Sequence, residues 1–303
     1  RINKLIHRIR YCTKMQIARN IAELQTFLSR CERPVGLVPT MGAIHEGHLS
    51  LIARSRAEST TVITTIFVNA KQFDSIQDLS NYPRPLEEDI DLLADAGVDL
   101  LFVPREEEIY PLGFSTKVQV ADLGGDRWEG AIRPGHFDGV ATIVTKLLLM
   151  ISADAAYFGQ KDAQQLAVIK RLAKDLHIPT KIIGVPTVRD NDGLAFSSRN
   201  IRLSEVERSA ATVIYRSLET AYARYSMGER NKVILEQVCL EALSAEPLIE
   251  SIQYVGLVDP DSFIEVGTGN GFIEGSALLI VSVTIGSIKL IDNVMLNGLG
   301  YPE

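Results

Sequence analysis

The sequence predicts an α/β fold: a parallel sheet with helices on both faces, followed by a smaller C-terminal α+β domain. Short apolar, β-branched runs alternate with helical patterns over residues 35–185, an order typical of parallel sheets. Polar residues gather where the predicted strands end, which is where such sheets bind ligands. Beyond about residue 187 the alternation stops, and two helical patterns precede three strand-like runs.

Five strands and four helices make up the predicted parallel part. The strands are Val35–Pro39, Thr61–Val68, Val98–Val103, Ala155–Phe158 and Lys181–Val185. The helices are Leu49–Glu58, Leu86–Ala96, Gly139–Ile151 and Ala163–Leu176. Because the third of these helices is almost entirely apolar, we expect it to lie in the core or in a subunit interface.

The C-terminal part opens with a capping box, Ser204-Glu205-Val206-Glu207, which begins a helix predicted to run to about Tyr225. The elements predicted after it are a helix at Lys232–Ser244, strands at Ser251–Val258, Ala277–Thr284 and Ser287–Asp292, and a hairpin link at Ile285-Gly286-Ser287. We expect three parts: residues 1–30 as an N-terminal extension and first helix, residues 31–187 as the sheet domain, and residues 188–303 as a lid domain. The polar segment 186–200 is expected to line the cleft between the last two.

Composition limits the classes of partner. The 303 residues have a net charge of −7, which does not favour nucleic acid as the main partner. No run approaches the roughly 18 apolar residues of a membrane span. Three scattered cysteines, Cys12, Cys31 and Cys239, favour a reducing compartment such as the cytoplasm. The first 19 residues carry six basic side chains and no acidic one, so an organelle address stays open as an alternative.

The most informative motif is Thr40-Met41-Gly42-Ala43-Ile44-His45-Glu46-Gly47-His48, between a predicted strand and a predicted helix. His45 and His48 are three residues apart, so on the first turn of a helix they face the same way. A helix N-terminus attracts anions through its unpaired N–H groups and its positive dipole end. The motif therefore predicts a polyphosphate site, and the alternative is a histidine pair that only hydrogen-bonds the helix start.

Amide and acidic side chains follow the second predicted strand. Asn69 and Gln72 can donate to and accept from hydroxyls or carboxylates, although turn chemistry is an alternative for Asn69. In Tyr82-Pro83-Arg84-Pro85-Leu86-Glu87-Glu88-Asp89, acids at a helix start favour the dipole. Asp89 or Glu88 is a candidate for contacting Mg²⁺ through water, with the helix start as the alternative explanation for these acids.

Three later segments carry cations. Arg133 is a candidate anion contact on a loop, whereas His136 is expected to order that loop. In Phe158-Gly159-Gln160-Lys161-Asp162-Ala163-Gln164-Gln165, a lysine at a helix start opposes the dipole, which a bound anion would explain. Asp162 is placed to cap this helix, and Gln165 would face the same cleft. Ser197-Ser198-Arg199 offers two hydroxyls and a guanidinium to phosphate, with an ordinary polar linker as the alternative.

Together these segments resemble the pantoate–β-alanine ligase family of the nucleotidyl-transferase superfamily. The matching segments occur in order at 39–48, 67–73, 82–84, 133–140, 158–165 and 192–200. The resemblance is dense over about residues 35–203 and looser to about 295. It implies a Rossmann-like domain for ATP and pantoate, a C-terminal lid and a homodimer.

The resemblance also implies a two-step reaction. The carboxylate of (R)-pantoate would attack the α-phosphate of ATP, giving pantoyl adenylate and pyrophosphate, with Mg²⁺ accompanying the ATP. The amine of β-alanine would then displace AMP to give pantothenate. One alternative is a nucleotidyltransferase that forms only an activated nucleotide product, and another is a non-catalytic relative that binds nucleotide.

Residue roles follow from the matched positions. The catalytic residues implied are His45, His48 and Lys161. The ATP-binding residues implied are Met41, Gly42, Ala43, Ile44, His45, Glu46, Gly47, His48, Gly159, Gln160, Lys161, Asp162, Val188, Phe196, Ser197, Ser198 and Arg199. Pantoate would contact Gln72 and Gln165, with Asn69 and Arg133 as further substrate-binding candidates, and Asp89 falls at a magnesium-associated position.

Three places depart from the family pattern. Ala70 stands where a proline is usual, and Lys71 adds a charge beside Gln72. Phe196 replaces a methionine, and Asp190-Asn191 replaces a pair that begins with glutamate. None of these changes removes a phosphate-binding side chain, so they bear on affinity and leave the reaction class unchanged.

Overall fold

The computed structural model describes residues 15–296. Residues 1–14, which hold five of the six basic residues noted above together with Cys12, lie outside the described residues, as do residues 297–303. The predictions for the basic start and for the two chain ends are therefore not addressed by the structure.

Of the two sheets that residues 15–296 form, the larger has six strands. Its strands are β1 (Gln16–Ala18), β2 (Val35–Thr40), β3 (Thr61–Ile66), β4 (Leu100–Phe102), β5 (Ala155–Gly159) and β6 (Lys181–Val185). The order across the sheet is β1-β4-β3-β2-β5-β6, with β1–β4, β4–β3, β3–β2 and β2–β5 parallel. The predicted α/β class with a parallel sheet is confirmed.

The strand order reverses between β2 and β5. From β2 the chain builds outward through β3 and β4 on one side, and β5 and β6 extend the sheet on the other. Open parallel sheets bind ligands at such a switch point, beyond the carboxyl ends of the strands. The segment that follows β2 there is the histidine motif 40–48.

Twelve helices occur in the described part of the chain. They are α1 (Ile21–Leu28), α2 (Glu46–Glu58), α3 (Ile76–Ser80), α4 (Leu86–Asp95), α5 (Glu106–Ile109), α6 (Ala121–Gly124), α7 (Trp128–Ile132), α8 (His136–Ile151), α9 (Ala163–Asp175), α10 (Glu205–Ala210), α11 (Val213–Ser226) and α12 (Lys232–Ser244). Short 3-10 turns lie at Ala70–Gln72, Gln160–Asp162 and Asn200–Arg202. None of the helices within residues 15–296 is long and apolar enough to cross a membrane.

The smaller sheet is antiparallel, with strands β7 (Ile249–Val258), β8 (Leu278–Ile285) and β9 (Ile288–Met295) in that order. The hairpin predicted between β8 and β9 is confirmed, and it turns at Gly286, which has a positive φ of 56°. Helices α11 and α12 share a buried apolar cluster with this sheet, including Leu218, Cys239 and Val281. The predicted α+β class of the C-terminal part is therefore confirmed.

Chain contacts divide the protein into two compact units. The first unit comprises residues up to Gln119, Asp138–Phe158 and Ile169–Val185. The second comprises Val120–Phe137, Gly159–Val168 and residues from Pro186 onward. Two segments that the sequence assigns to the sheet domain thus group with the C-terminal residues, and the domain bounds 1–30, 31–187 and 188–303 stay predictions.

Several element bounds differ from the predictions for identifiable reasons. Helix α2 begins at Glu46 instead of Leu49, because the side chain of His45 caps it. Helix α8 begins at His136 instead of Gly139. The single helix predicted to run to Tyr225 is two helices: at Thr212 the hydroxyl and the N–H both bond to the carbonyl of Ser209, which interrupts the regular ladder.

Asp154 ties together the start of the central strands. Its carboxylate accepts from the N–H of Val35 at 2.6 Å and pairs with Arg33 at 3.0 Å. Its own N–H donates to Val35, and its carbonyl accepts from Lys181. Partial desolvation acts to raise the pKa of the Asp154 carboxyl. The hydrogen bond from Val35 and the pairing with Arg33 outweigh this effect and hold the pKa below its ordinary value.

A pH-dependent contribution to stability follows. Because the folded-state pKa of Asp154 is depressed, its contribution is present above the unfolded pKa of about 3.9 and is lost as pH falls through the folded value. We expect Asp154→Asn to lower the free energy of unfolding at pH 7. Below pH 4, the free energy of unfolding should decrease less steeply with falling pH in this variant than in the unsubstituted protein. Urea unfolding at a series of pH values measures both, and parallel pH profiles for the two proteins would contradict the assignment.

Candidate active site

The two histidines close the N-terminus of α2. His45 is the N-cap residue, and its Nδ1 accepts from the N–H of Gly47 at 3.1 Å. His48, at the third helical position, returns a capping-box bond, since its Nδ1 accepts from the N–H of His45 at 3.4 Å. The ring centroids are 4.1 Å apart. The rings therefore lie together as predicted, with the difference that His45 precedes the first turn.

This capping geometry selects the tautomer of the rings. A neutral imidazole carries one proton, and in both rings Nδ1 is an acceptor, so the proton is on Nε2. Each neutral ring is therefore an Nε2–H donor. Donors suit phosphate oxygens, whereas a metal ion needs a nitrogen lone pair. The hydrogen-bonding alternative and the phosphate prediction are thus compatible, because each uses a different ring nitrogen.

Asp89 holds the turn in front of the histidines. Gly42 and Ala43 both have positive φ, 83° and 52°. The buried Asp89 carboxylate accepts from the N–H of Ala43 at 2.8 Å and of Ile44 at 2.7 Å. Burial raises the pKa of Asp89 despite these two bonds. A side chain at position 42 would bring its Cβ to 2.9 Å from Asp89 Oδ2, so glycine is required there.

The magnesium role of Asp89 stays a prediction. Both carboxylate oxygens are engaged with main-chain N–H groups, and a protein cage for a cation would need further oxygen ligands. Across residues 15–296 no group of three or more histidine, cysteine or acidic side chains could hold a metal ion. Asp89 therefore fits the task of shaping the turn better than that of a direct ligand.

Asn69 supports Gln72. The amide nitrogen of Asn69 donates to Gln72 Oε1 at 3.0 Å and to the Gly139 carbonyl at 3.1 Å. Its oxygen accepts from the hydroxyl of Tyr110 at 2.8 Å. Burial, together with nearby Glu106, raises the pKa of Tyr110 to about 12, so this hydroxyl remains a donor at neutral pH. The side chain of Asn69 is only 1% exposed and supports Gln72, and its role as a substrate contact stays a prediction.

Gly139 allows α8 to approach the turn that carries Gln72. A Cβ at this position would lie 2.3 Å from the carbonyl oxygen of Lys71 and 2.7 Å from the N of Gln72. Beside the turn, the ammonium of Lys71 lies 4.9 Å from the centroid of the Tyr110 ring. The added charge at position 71 thus has an aromatic partner, which explains how the departure is tolerated.

The second unit gathers cations around Asp162. Desolvation would raise the pKa of its carboxyl, but Lys161, Arg199, His136 and Arg133 more than offset it and lower the pKa. Lys161 Nζ lies 4.0 Å from Asp162 Oδ1. The structure therefore brings Lys161, Asp162 and Arg199 together, as predicted for a phosphate site.

Arg133 lies on the loop between α7 and α8, and its side chain is buried and has protein partners. Its NH1 is 3.5 Å from Glu129 Oε1 and 3.2 Å from the Nε2 of His136. Glu129 also accepts from the hydroxyl of Tyr254 at 3.4 Å. Burial, with Glu129 beside it, keeps the pKa of Tyr254 well above its ordinary value. The loop-ordering role expected of His136 agrees with this arrangement, and the role of Arg133 as a substrate contact stays a prediction.

The two adjacent glutamines on α9 differ in role. Gln164 is buried and fully bonded: its Oε1 accepts from the N–H of Glu129 at 3.0 Å, and its Nε2 donates to the carbonyls of Leu123 and Arg127. It thereby attaches α6 and α7 to the start of α9. Gln165 is half-buried, and its side chain makes no hydrogen bond with the described residues. This contrast supports Gln165 as the ligand-facing member of the pair.

Residues 188–196 form a short hairpin, and the phosphate-binding role of the Ser197-Ser198-Arg199 turn that follows it stays a prediction. Val188 accepts from the N–H of Phe196 at 3.1 Å, and Arg189 bridges Ala195. Asp190 and Asp192 both pair with Arg208 at 2.8 Å, which gives the unusual Asp190 a partner. The hydroxyl of Ser197 accepts from the N–H of Arg199 at 3.3 Å, and this shapes the Ser197-Ser198-Arg199 turn.

The remaining predicted ATP contacts are exposed or half-buried. Glu46 is exposed at the first position of α2, where an acid favours the dipole. The half-buried positions are Met41, Ile44, Gly47, Gly159, Gln160, Val188, Phe196 and Ser198. A Cβ at Gly159 would meet nothing within 4 Å, so space exists there for another group.

Sequence reasoning missed the buried polar residues behind these segments. Asn293 donates to the carbonyls of Gln160 and Lys161, and Asp292 pairs with Arg189. The predicted strand Ser287–Asp292 includes Asp292 as an ordinary strand residue and ends before Asn293. The available signal was two consecutive polar residues inside an otherwise apolar strand, which is unfavourable unless both have partners.

Comparisons with known proteins agree with this geometry. The family model described as Pantoate-beta-alanine ligase matches residues 16–295. Pantothenate synthetase of Roseiflexus sp. (strain RS-1) is 48% identical over 282 residues, covering 93% of this chain and 99% of that protein.

Solved structures give the same result. The crystal structure of pantothenate synthetase from Thermus thermophilus has a TM-score of 0.88 and 42% identity, over 95% of this chain and 100% of the other. That of the Francisella tularensis pantoate-beta-alanine ligase, complexed with beta-gamma ATP and beta-alanine, has a TM-score of 0.75 and 34% identity, over 93% and 98%. The chain belongs to the pantoate–β-alanine ligase family.

Proposed function

We propose that the chain joins pantoate to β-alanine through pantoyl adenylate. As a member of its family the chain is a ligase, and its reaction is the condensation of pantoate with β-alanine. In the first proposed step a pantoate carboxylate oxygen bonds to the α-phosphorus of ATP, and the bond to pyrophosphate breaks. In the second, the β-alanine amine bonds to the acyl carbon, loses a proton, and releases AMP.

The observation that carries this proposal is the tautomer of the two histidine rings. Both Nδ1 atoms accept hydrogen bonds from main-chain N–H groups, so each neutral ring has its donor at Nε2. Donors fixed before the reaction stabilise charge that develops on phosphate oxygens, and no reorganisation is needed when the reaction occurs. We propose that His45 and His48 act in this way at the α-phosphate.

The cations of the second unit serve the same nucleotide in this proposal. Lys161, Ser197, Ser198 and Arg199 would hold phosphate oxygens. Adenylyl transfer depends mainly on positioning and charge neutralisation, and the proposed step needs no nucleophile from the protein because the pantoate carboxylate is the nucleophile. The remaining nucleotide contacts would come from 41–44, 46–47, 159–160, Asp162, Val188 and Phe196.

Pantoate would be held by two glutamines. Gln72 Oε1 accepts from Asn69, so the group that Gln72 can offer to a carboxylate is the Nε2 amide, a donor. Gln165 would contribute a second amide. Asn69 and Arg133 would act through their neighbours, as their burial and partners indicate.

Magnesium, assembly and location are further parts of the proposal. Mg²⁺ keeps several waters and prefers substrate phosphates, so we propose that it accompanies ATP without a protein cage. The family resemblance supports a homodimer, and bacterial relatives support a cytoplasmic location. The apolar helix α8 is mostly buried within the chain, so core packing accounts for most of its apolar residues.

The test of this function is an AMP-release assay in which each substrate is omitted in turn. We expect sustained release of AMP and pyrophosphate only when pantoate, β-alanine and ATP are all present. Removal of Mg²⁺ by EDTA should abolish the activity. Pyrophosphate release that is sustained without β-alanine would instead indicate an enzyme that stops at an activated nucleotide. No AMP from any mixture would overturn the proposal.

A pair of substitutions separates the chemistry of His48 from its capping bond. Glutamine is the usual residue at the third position of a capping box, so His48→Gln keeps the cap, whereas His48→Ala loses it. We expect both to lower kcat by about 100-fold or more, corresponding to roughly 3 kcal/mol of barrier for a lost preorganised donor. Thermal unfolding should separate the variants, with only His48→Ala destabilised. Near-normal kcat in His48→Gln would show that the residue acts only as a cap.

Gly139 offers a test of the Gln72 position from outside the substrate contacts. In Gly139→Ala the new Cβ would collide with the turn at 71–72, and Gln72 would shift. We expect the KM for pantoate to rise about tenfold, because small misplacements of a positioned group are costly, with little change in the KM for ATP. The control is Gly269→Ala, where a Cβ meets nothing within 4 Å. Equal KM values for pantoate in the two variants would contradict the assignment.

A further inference from the structure

We infer that the adjacent residues Asp292 and Asn293 on β9 are a positioning pair for ATP, holding both phosphate-binding segments of the second unit. The inference rests on the proposed function of those segments. Neither residue lies in the six segments on which the family resemblance is based. Both side chains are almost fully buried, at 3% and 5% exposure, so each needs polar partners inside the protein.

Asn293 fixes the turn that carries Lys161. Its Nδ2 donates to the carbonyl of Gln160 at 3.0 Å and to the carbonyl of Lys161 at 2.9 Å. Two consecutive carbonyls on one amide hold the direction of the chain through the 3-10 turn Gln160–Asp162. These two bonds fix the backbone of Lys161, so its ammonium group can reach fewer positions.

Asp292 fixes the hairpin that leads into Ser197. Its carboxylate binds the guanidinium of Arg189 in a bidentate arrangement, with NH1–Oδ2 at 2.5 Å and NH2–Oδ1 at 2.9 Å. Arg189 also donates to the carbonyl of Gly193 at 3.2 Å and lies 4.1 Å from the centroid of the Tyr215 ring. The hairpin 188–196 is thus attached to β9 at its first strand and at its turn.

One strand can serve both segments because of its geometry. Successive side chains of a β-strand point to opposite faces, so Asp292 and Asn293 reach in opposite directions from neighbouring positions. The N–H of Asn293 also donates to Asp292 Oδ1 at 2.8 Å, which orients the carboxylate. The Lys161 turn and the hairpin before Ser197 are therefore bonded to neighbouring residues of the same strand.

The inference is tested with Asn293→Ala, which removes the two donors without touching a side chain assigned to ATP. The control is Gln253→Ala: Gln253 lies on β7 of the same sheet, and its amide nitrogen donates to Ser251 and Thr284. We expect the Kd for ATP, measured by calorimetry with ATP alone, to rise at least tenfold in Asn293→Ala. The KM for β-alanine should stay within twofold, and the control should match the unsubstituted protein in both.

Two further variants keep the test decisive. Asn293→Leu preserves the side-chain volume, so it replaces Asn293→Ala if that protein does not fold. Arg189→Lys keeps the charge and loses the bidentate fork, and we expect it to weaken ATP binding with the same small effect on β-alanine.

The outcomes separate this inference from the proposed function. If the unsubstituted chain releases AMP and the Asn293 variants bind ATP as tightly as the control, the positioning role is wrong and the ligase function stands. If ATP and β-alanine constants rise together in proportion to lost thermal stability, the residues are structural only and the inference is overturned. If the unsubstituted chain makes no AMP, the proposed function fails first.

Discussion

The constraint on which the site depends is the short passage from β2 to α2. The strand ends at Thr40 and the helix begins at Glu46, so five residues must change the direction of the chain. Two of them take positive φ, which costs free energy for Ala43. The carboxylate of Asp89 offsets this cost by accepting the two N–H groups that the turn leaves inside the protein. The positions of His45 and His48 follow from that turn.

The second unit solves a different problem, which is to keep several cations close together before any phosphate is bound. Like charges at short range repel strongly where water is excluded. Asp162 lies among Lys161, Arg199, His136 and Arg133, and the lowered pKa of its carboxyl records their combined field. Glu129 provides a second negative charge beside Arg133. The acids in this region therefore stabilise the cation cluster and leave a net positive field for an anionic ligand.

The fold and the ligand-facing residues were largely readable from the sequence, whereas their supports were not. Five of the six strands of the large sheet follow from apolar runs, and β1 was missed because three residues at a sheet edge carry too little pattern. The histidines, Lys161 and Ser197-Ser198-Arg199 stand out since their types and spacings suit phosphate. Asn69 and Arg133 are also predicted as substrate contacts, but their burial and their protein partners could not be predicted, because sequence shows a polar type without showing burial.

The supports share a physical form. Asp89 binds the N–H groups of Ala43 and Ile44, and Asn293 binds the carbonyls of Gln160 and Lys161. Asn69 binds the carbonyl of Gly139, which packs against the turn that carries Gln72, so each buried polar side chain holds main chain that supports a ligand-facing residue. This arrangement has a mechanistic advantage. The bonds that Asp89 and Asn293 make to the backbone of these segments restrain the backbone atoms and use none of the donors and acceptors of the functional side chains, whereas Asn69 also orients the amide of Gln72 directly. Since charge stabilisation requires donors that are fixed before the reaction, the precision of the site is carried by residues that take no part in bond making.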